Sequence, residues 1–177
     1  LQSESFTTTV SLIGDWIARI AAALTLGAFA GILAFTTQEA GHALNGSARR
    51  LARLGAHSAQ IWFWASLLQT FANPAYVNGV PLVYTLRPDA WWDFLTSTPS
   101  GLAWLLSALV AAGCTGVAFL GRTHAPFALA FGTGTLALVF VAVTGSVTVG
   151  ADHDVATDAA IWLTLAMVPV TALTVGM

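Results

Sequence analysis

Asp152, His153 and Asp154 are the residues of this chain whose types and spacing most invite chemistry. An imidazole flanked by two carboxylates offers nitrogen and oxygen donors to a divalent metal such as Cu(II). Three consecutive residues cannot all converge on one ion from a helix, so a complete site needs further ligands. The same tripeptide also reads as a helix start, because an apolar run begins at Ala159. Asp152 or Asp154 would then cap that helix, with the carboxylates at its positive end. Spacing alone leaves both readings open.

Other chemistry is sparse. The histidines are His42, His57, His124 and His153, and none falls in the middle of an apolar run. A haem held between helices by two histidines is therefore not expected. The one cysteine, Cys114, sits inside an apolar run and reads as a small packing residue. No Ser-His-Asp or Cys-His arrangement and no glycine-rich phosphate loop is present, so the chain is not expected to be an enzyme.

The elements that position these residues are membrane helices. The 177 residues are 56% hydrophobic and 8% charged, with a mean hydropathy of +0.77. Soluble domains carry about a quarter charged residues, so this composition belongs in a bilayer. Lysine is absent, and six arginines with a net charge of -2 give no basic face for nucleic acid. Spanning takes about 20 apolar residues. Segments 12–35, 54–71, 102–120, 127–147 and 159–177 meet that length approximately, the second being short and interrupted by Gln60, Ser66 and Gln69. Arg49, Arg50 and Arg53 lie in the first connection and Arg122 in the third, whereas the second holds only Arg87 beside Asp89 and Asp93, and the fourth has Asp152, Asp154 and Asp158 with no base. The positive-inside rule then puts the N-terminus outside and the C-terminus in the cytoplasm. An outside N-terminus also fits a removed leader, since the first residue is Leu1.

Within the spans, Asp15 and Arg19 are four residues apart and share a helix face. They read as a self-neutralising pair that sets the depth of the first span and faces the bundle, or as one polar element of an ion path. Gly27-x-x-x-Gly31 offers a close-packing surface for another helix. Ser66, Gln69 and Asn73 form one stripe of the second span that must face other helices, with Trp62 and Trp64 as anchors at the membrane interface. Asn73-Pro74 and Asn78-Gly79 signal turns. Pro88 opens a short interfacial helix over 89–95 carrying Trp91 and Trp92 at headgroup level. Gly113, Gly116, Gly132 and Gly134 are placed to let the third and fourth spans approach closely. His57 and His42 read as solvated loop histidines.

With these residues in view, the chain resembles the N-terminal part of the CopD copper-resistance membrane family. It is most similar to the actinobacterial form in which that domain is fused to a cytochrome-oxidase assembly domain. Gly79-Val80-Pro81-Leu82, Trp91-Trp92-Asp93-Phe94-Leu95-Thr96 and Gly101-Leu102-Ala103-Trp104 resemble the family's outer loop and the helix after it. Thr144-Gly145 matches the start of its Thr-Gly-His turn, and Asp152-His153-Asp154-Val155-Ala156 matches its Asp-His-acidic-x-Ala motif. Ser146 stands where the family has the turn's histidine, and residues 161–172 lack the family's following His and Trp-x-Gly-Gly. The resemblance implies copper movement across the membrane or copper supply to an oxidase, with His153, Asp152 and Asp154 as the outer-face copper contact.

The expectation is therefore an all-α polytopic bundle, residues 1–177 forming one domain of about five spans plus an interfacial helix, in a bacterial plasma membrane. Its expected function is CopD-like copper handling, with copper held weakly. The alternative is an accessory subunit of a larger respiratory membrane complex that keeps the fold and has lost the ligands. Lipid and other membrane subunits are the expected partners.

Overall fold

The computed structural model describes residues 2–36 and 44–144, together with 166, 168–170 and 174. Among these residues the chain is helical and contains no strand: α1 is Gln2–Phe35, α2 Gly46–Val77, α3 Leu82–Thr85, α4 Pro88–Ser97, α5 Pro99–Leu120 and α6 His124–Thr144. Among the described residues three helices are long and apolar enough to cross a membrane, α1 over Ser5–Phe35, α5 and α6. They take in the spans expected at 12–35 and 102–120 and residues 127–144 of the one expected at 127–147, whose last three residues lie outside the described ones. The second expected span, 54–71, lies inside α2. That helix has 32 residues, about 48 Å at 1.5 Å per residue. It is long enough to cross, but its arginines and buried polar stripe keep it below the apolar character of the other three. The fifth, 159–177, falls largely outside the described residues; Ala166, Val168–Val170 and Thr174 are helical, and Val168 is buried in the shared core.

Local chemistry sets the helix ends. Asn45 caps α2, its side-chain oxygen accepting from Ala48 N at 2.9 Å. Thr98 closes α4 and opens α5: its backbone N–H donates to Phe94 O, and its Oγ1 accepts from Gly101 N at 3.2 Å. Pro88 and Pro99 occupy first-turn positions, where a missing N–H costs nothing. α2 ends at Asn78-Gly79, with Gly79 at φ +63. Asn73-Pro74 is not a turn, because Pro74 lies within the last turn of α2. There its carbonyl accepts from both the backbone N and the Nδ2 of Asn78.

α2 is the axis of the bundle. It packs against α1 on one side and α5 on the other, and α6 closes the ring by packing on α5 and α1. Small side chains allow the approach: Ala48, Ala52, Gly55, Ala56 and Ala59 are all buried along the first half of α2. Phe29 and Phe127 meet edge to face at 5.2 Å and tie α1 to α6. Leu109, Leu120, Leu129 and Leu136 are exposed while Ser66, Gln69 and Ser107 are fully buried. That inversion of soluble-protein polarity is the arrangement a hydrocarbon surround demands.

Three packing expectations are corrected. Trp62 is fully buried, not an interfacial anchor; Trp64, two residues on, is exposed. Gly113, Gly116 and Gly132 face open space, so they do not bring α5 and α6 together. Gly134 does sit in a contact, but with α1 and α2: a Cβ there would stand 2.5 Å from Leu26 Cδ2 and 3.6 Å from Trp62. Of the Trp91–Trp92 pair only Trp92 is exposed. Trp91 stacks on Phe71 at 5.5 Å and its Nε1 donates to Thr70 Oγ1, fastening α4 to α2.

Candidate functional site

A polar seam runs along α2 where it meets α1 and α5. It begins at Ser58, whose Oγ donates to Leu54 O at 2.9 Å and lies 2.9 Å from Thr25 Oγ1 of α1. One turn further, Trp62 Nε1 donates to Ser107 Oγ of α5 at 2.9 Å, and Ser66 Oγ shares the same hydroxyl at 3.0 Å. Gln69 then turns to α1, where its Nε2 donates to Ser11 O at 2.6 Å. Its closeness requires Gly14, since a Cβ at that position would stand 2.5 Å from Gln69 Nε2. Thr85 of α3 continues the line by donating toward Phe71 O at 3.0 Å. The stripe of Ser66, Gln69 and Asn73 expected from the sequence is buried throughout.

Almost every buried polar group in the seam finds a partner on a neighbouring helix or on its own backbone, as hydrocarbon requires. Asn73 Oδ1 and Trp104 Nε1 are buried with no hydrogen-bond partner among the described residues. The seam contains no titratable group. It holds helices together and offers no charge to a cation.

The charged groups lie elsewhere. Arg19 Nε donates to Asp15 Oδ1 at 2.9 Å on the outer flank of α1, both groups half-buried. Leu12, Ile13, Trp16, Ile17 and Ile20 are exposed and Ser11, Gly14 and Ala18 buried, so the pair lies at the edge between the packed and the exposed face of α1. No further ionisable side chain is joined to it by a described contact. Gly27 and Gly31 are both buried. Arg87 and Asp89 pair at 2.9 Å on the exposed start of α4. Desolvation, the largest single influence, pushes the Asp89 carboxyl up. The backbone N–H groups of Asp89 and Ala90, with the Arg87 guanidinium, outweigh that and hold it below its ordinary value.

Among the histidines, His57 lies within α2 on its exposed side and not in a loop. His124 begins α6, its Nε2 3.2 Å from Thr36 Oγ1. Thr36 gives its own proton to Ile32 O, so the ring nitrogen donates and ties the end of α1 to the start of α6. Cys114 is buried against Ala130 O. No group of three His, Cys, Asp or Glu side chains able to hold a metal occurs among the described residues. Asp152, His153 and Asp154, like His42 and Ser146, lie outside the described residues.

Sequence reasoning missed Ser107, Gly14 and the inward turn of Trp62. A serine in an apolar helix and a glycine one turn from Ser11 are the signals; neither names its partner.

Comparison with known proteins adds the family. The chain is 27% identical over 173 residues to an uncharacterized protein of Mycobacterium bovis and, equally, to one of Mycobacterium tuberculosis. Those alignments take in 97% of this chain but 26% of each relative, so the chain spans about a quarter of their length. No solved structure gives a significant match. The profile described as copper resistance protein D-like, N-terminal domain, matches residues 10–154, which takes in most of α1 and all of α2 to α6 and ends on the Asp152-His153-Asp154 tripeptide. With that match covering most of its length, the chain belongs to the copper resistance protein D-like family and is a CopD-like membrane protein.

Proposed function

We propose that this chain handles copper as cargo, either moving it across the membrane or supplying it to oxidase assembly, and that it does so without catalysing a reaction. The observation that carries the proposal is the family match over residues 10–154, within which His153 offers an imidazole and Asp152 and Asp154 offer carboxylates, donors suited to Cu(II). In this reading α2 is a fourth spanning helix despite its polarity, because α1 and α5 cover its seam, and the run after Ala159 is a fifth. The aspartate-bearing end faces outward and the arginine-bearing end the cytoplasm. Copper arrives at the outer face, and a one-histidine site holds it loosely enough to pass on. Lipid surrounds the bundle, and other membrane subunits, or further domains such as those of the longer relatives, receive the metal.

The test is copper binding and copper flux in reconstituted vesicles. Binding should weaken as pH falls through the imidazole pKa, because only the neutral ring ligates. His153→Ala should abolish it, and Asp152→Asn with Asp154→Asn should weaken it more than either alone. After chelator treatment the purified protein should retain well under one copper. Flux and binding unchanged in His153→Ala would sink the assignment of the tripeptide. Stoichiometric, chelator-resistant copper lost in His153→Ala would replace the loose site with a resident one.

A further inference from the structure

At the opposite end of the bundle from α3 and α4, three arginines converge on one cleft. Arg49 and Arg53, four residues apart in the first turns of α2, share a face. Arg122 reaches the same space from the connection between α5 and α6. The cleft is about 710 Å³ and is completed by Leu44, Ala52, Ala118, Phe119 and Gly121. All three arginines are exposed. The ion pairs among the described residues, Asp15–Arg19 and Arg87–Asp89, are both elsewhere. The first turn of α2 carries no acidic residue, and its cap, Asn45, is neutral. The guanidinium charges therefore add to the positive end of the helix where carboxylates would ordinarily offset it. Phe119 and Leu120, at the end of α5, are exposed beside this charge.

We propose that this cleft is a binding site for the phosphate headgroup of an anionic phospholipid. Guanidinium forks match phosphate oxygens two at a time, and three of them around one cavity suit a single phosphate better than a diffuse anion. The site combines a cationic floor with an apolar wall at the end of a spanning helix, where headgroup and acyl chain part company. The arginine-rich end is also the one that the positive-inside rule directs to the cytoplasmic leaflet, the leaflet bearing a negative surface potential. A soluble phosphate shares the headgroup chemistry but has no use for the exposed Phe119 and Leu120.

Native mass spectrometry of the detergent-purified chain, offered equal phosphatidylglycerol and phosphatidylcholine, tests this. Wild type should retain phosphatidylglycerol in about tenfold preference, and Arg53→Gln with Arg122→Gln should remove most of that preference. Arg50→Gln, which does not line the cleft, should behave as wild type. Arg122→Lys should fall between, since it keeps the charge and loses the fork. If the double variant does not fold, as judged by its helical melt, Arg122→Gln alone carries the test, because it lies outside the helices. Equal loss in Arg50→Gln would mean non-specific charge attraction and overturn the site. Displacement of the lipid by inorganic phosphate would assign the cleft to a soluble anion and overturn the lipid.

Discussion

Gln69 of α2 donates its side-chain amide to the backbone carbonyl of Ser11 of α1 at 2.6 Å, in the interior of the bundle. The bond is available because Gly14 leaves the space that the amide fills. Together the three residues lock the depth of α1 against α2 in a medium where sliding would otherwise cost little.

Gly14→Ala should therefore destabilise the bundle more than Gln69→Ala. Removing one interhelical hydrogen bond in a membrane costs roughly 0.5–2 kcal/mol, whereas the added Cβ displaces a fully buried side chain. In the double variant the alanine at 14 finds room, so the combined loss should fall short of the sum of the two singles by about 1 kcal/mol. Reversible unfolding in mixed micelles measures all three. Strict additivity would show that the two positions do not meet.

Ser107 serves two partners at once, Trp62 Nε1 and Ser66 Oγ. Ser107→Ala should leave the indole N–H buried and unpaired, at a cost of about 1–3 kcal/mol. Trp62→Phe in that background should recover part of the loss, because it removes the stranded donor. Thermal unfolding followed by helical circular dichroism decides it; no recovery would place Trp62's contribution in its volume alone.

Topology is open to direct labelling. Ser47 and Ser97 are exposed at opposite ends of the bundle. In a Cys114→Ser background, single cysteines at these positions should react from opposite sides of the membrane, with position 97 outside. Labelling of both from one side would refute the spanning placement of α2 and the orientation built on it.

The Asp89 carboxyl supplies a pH effect with a defined sign. Its folded pKa is lowered, so the Arg87–Asp89 pairing contributes above the ordinary carboxylate pKa and is lost as pH falls through the lowered one. A carboxyl titration by NMR should show the depressed value, and Arg87→Gln should raise it. An unchanged titration in Arg87→Gln would leave the backbone N–H groups of Asp89 and Ala90 as the cause of the depression.

Residues that act within one helix or one turn were legible from sequence. Asp15 and Arg19 pair because four residues make nearly one turn, whatever surrounds them. Asn78-Gly79 ends α2 because glycine accepts the positive φ, and Pro88 starts α4 because it needs no donor there. Apolar length marked α1, α5 and α6, and the stripe of Ser66, Gln69 and Asn73 marked the buried side of α2. The pairing between helices was not legible. In lipid the outward face of a helix is as apolar as its inward face, so hydrophobic pattern cannot say which neighbour a residue meets. Gly113, Gly116, Gly132 and Gly134 look alike in sequence, yet only Gly134 is set against a neighbouring helix. Trp62 and Trp64 differ only in which side of α2 they occupy, and that difference puts one indole in the core on Ser107 and leaves the other exposed. Arg122, 69 residues beyond Arg53 in the chain, joins it at one cleft only because α5 returns the chain to the end of the bundle where α2 began.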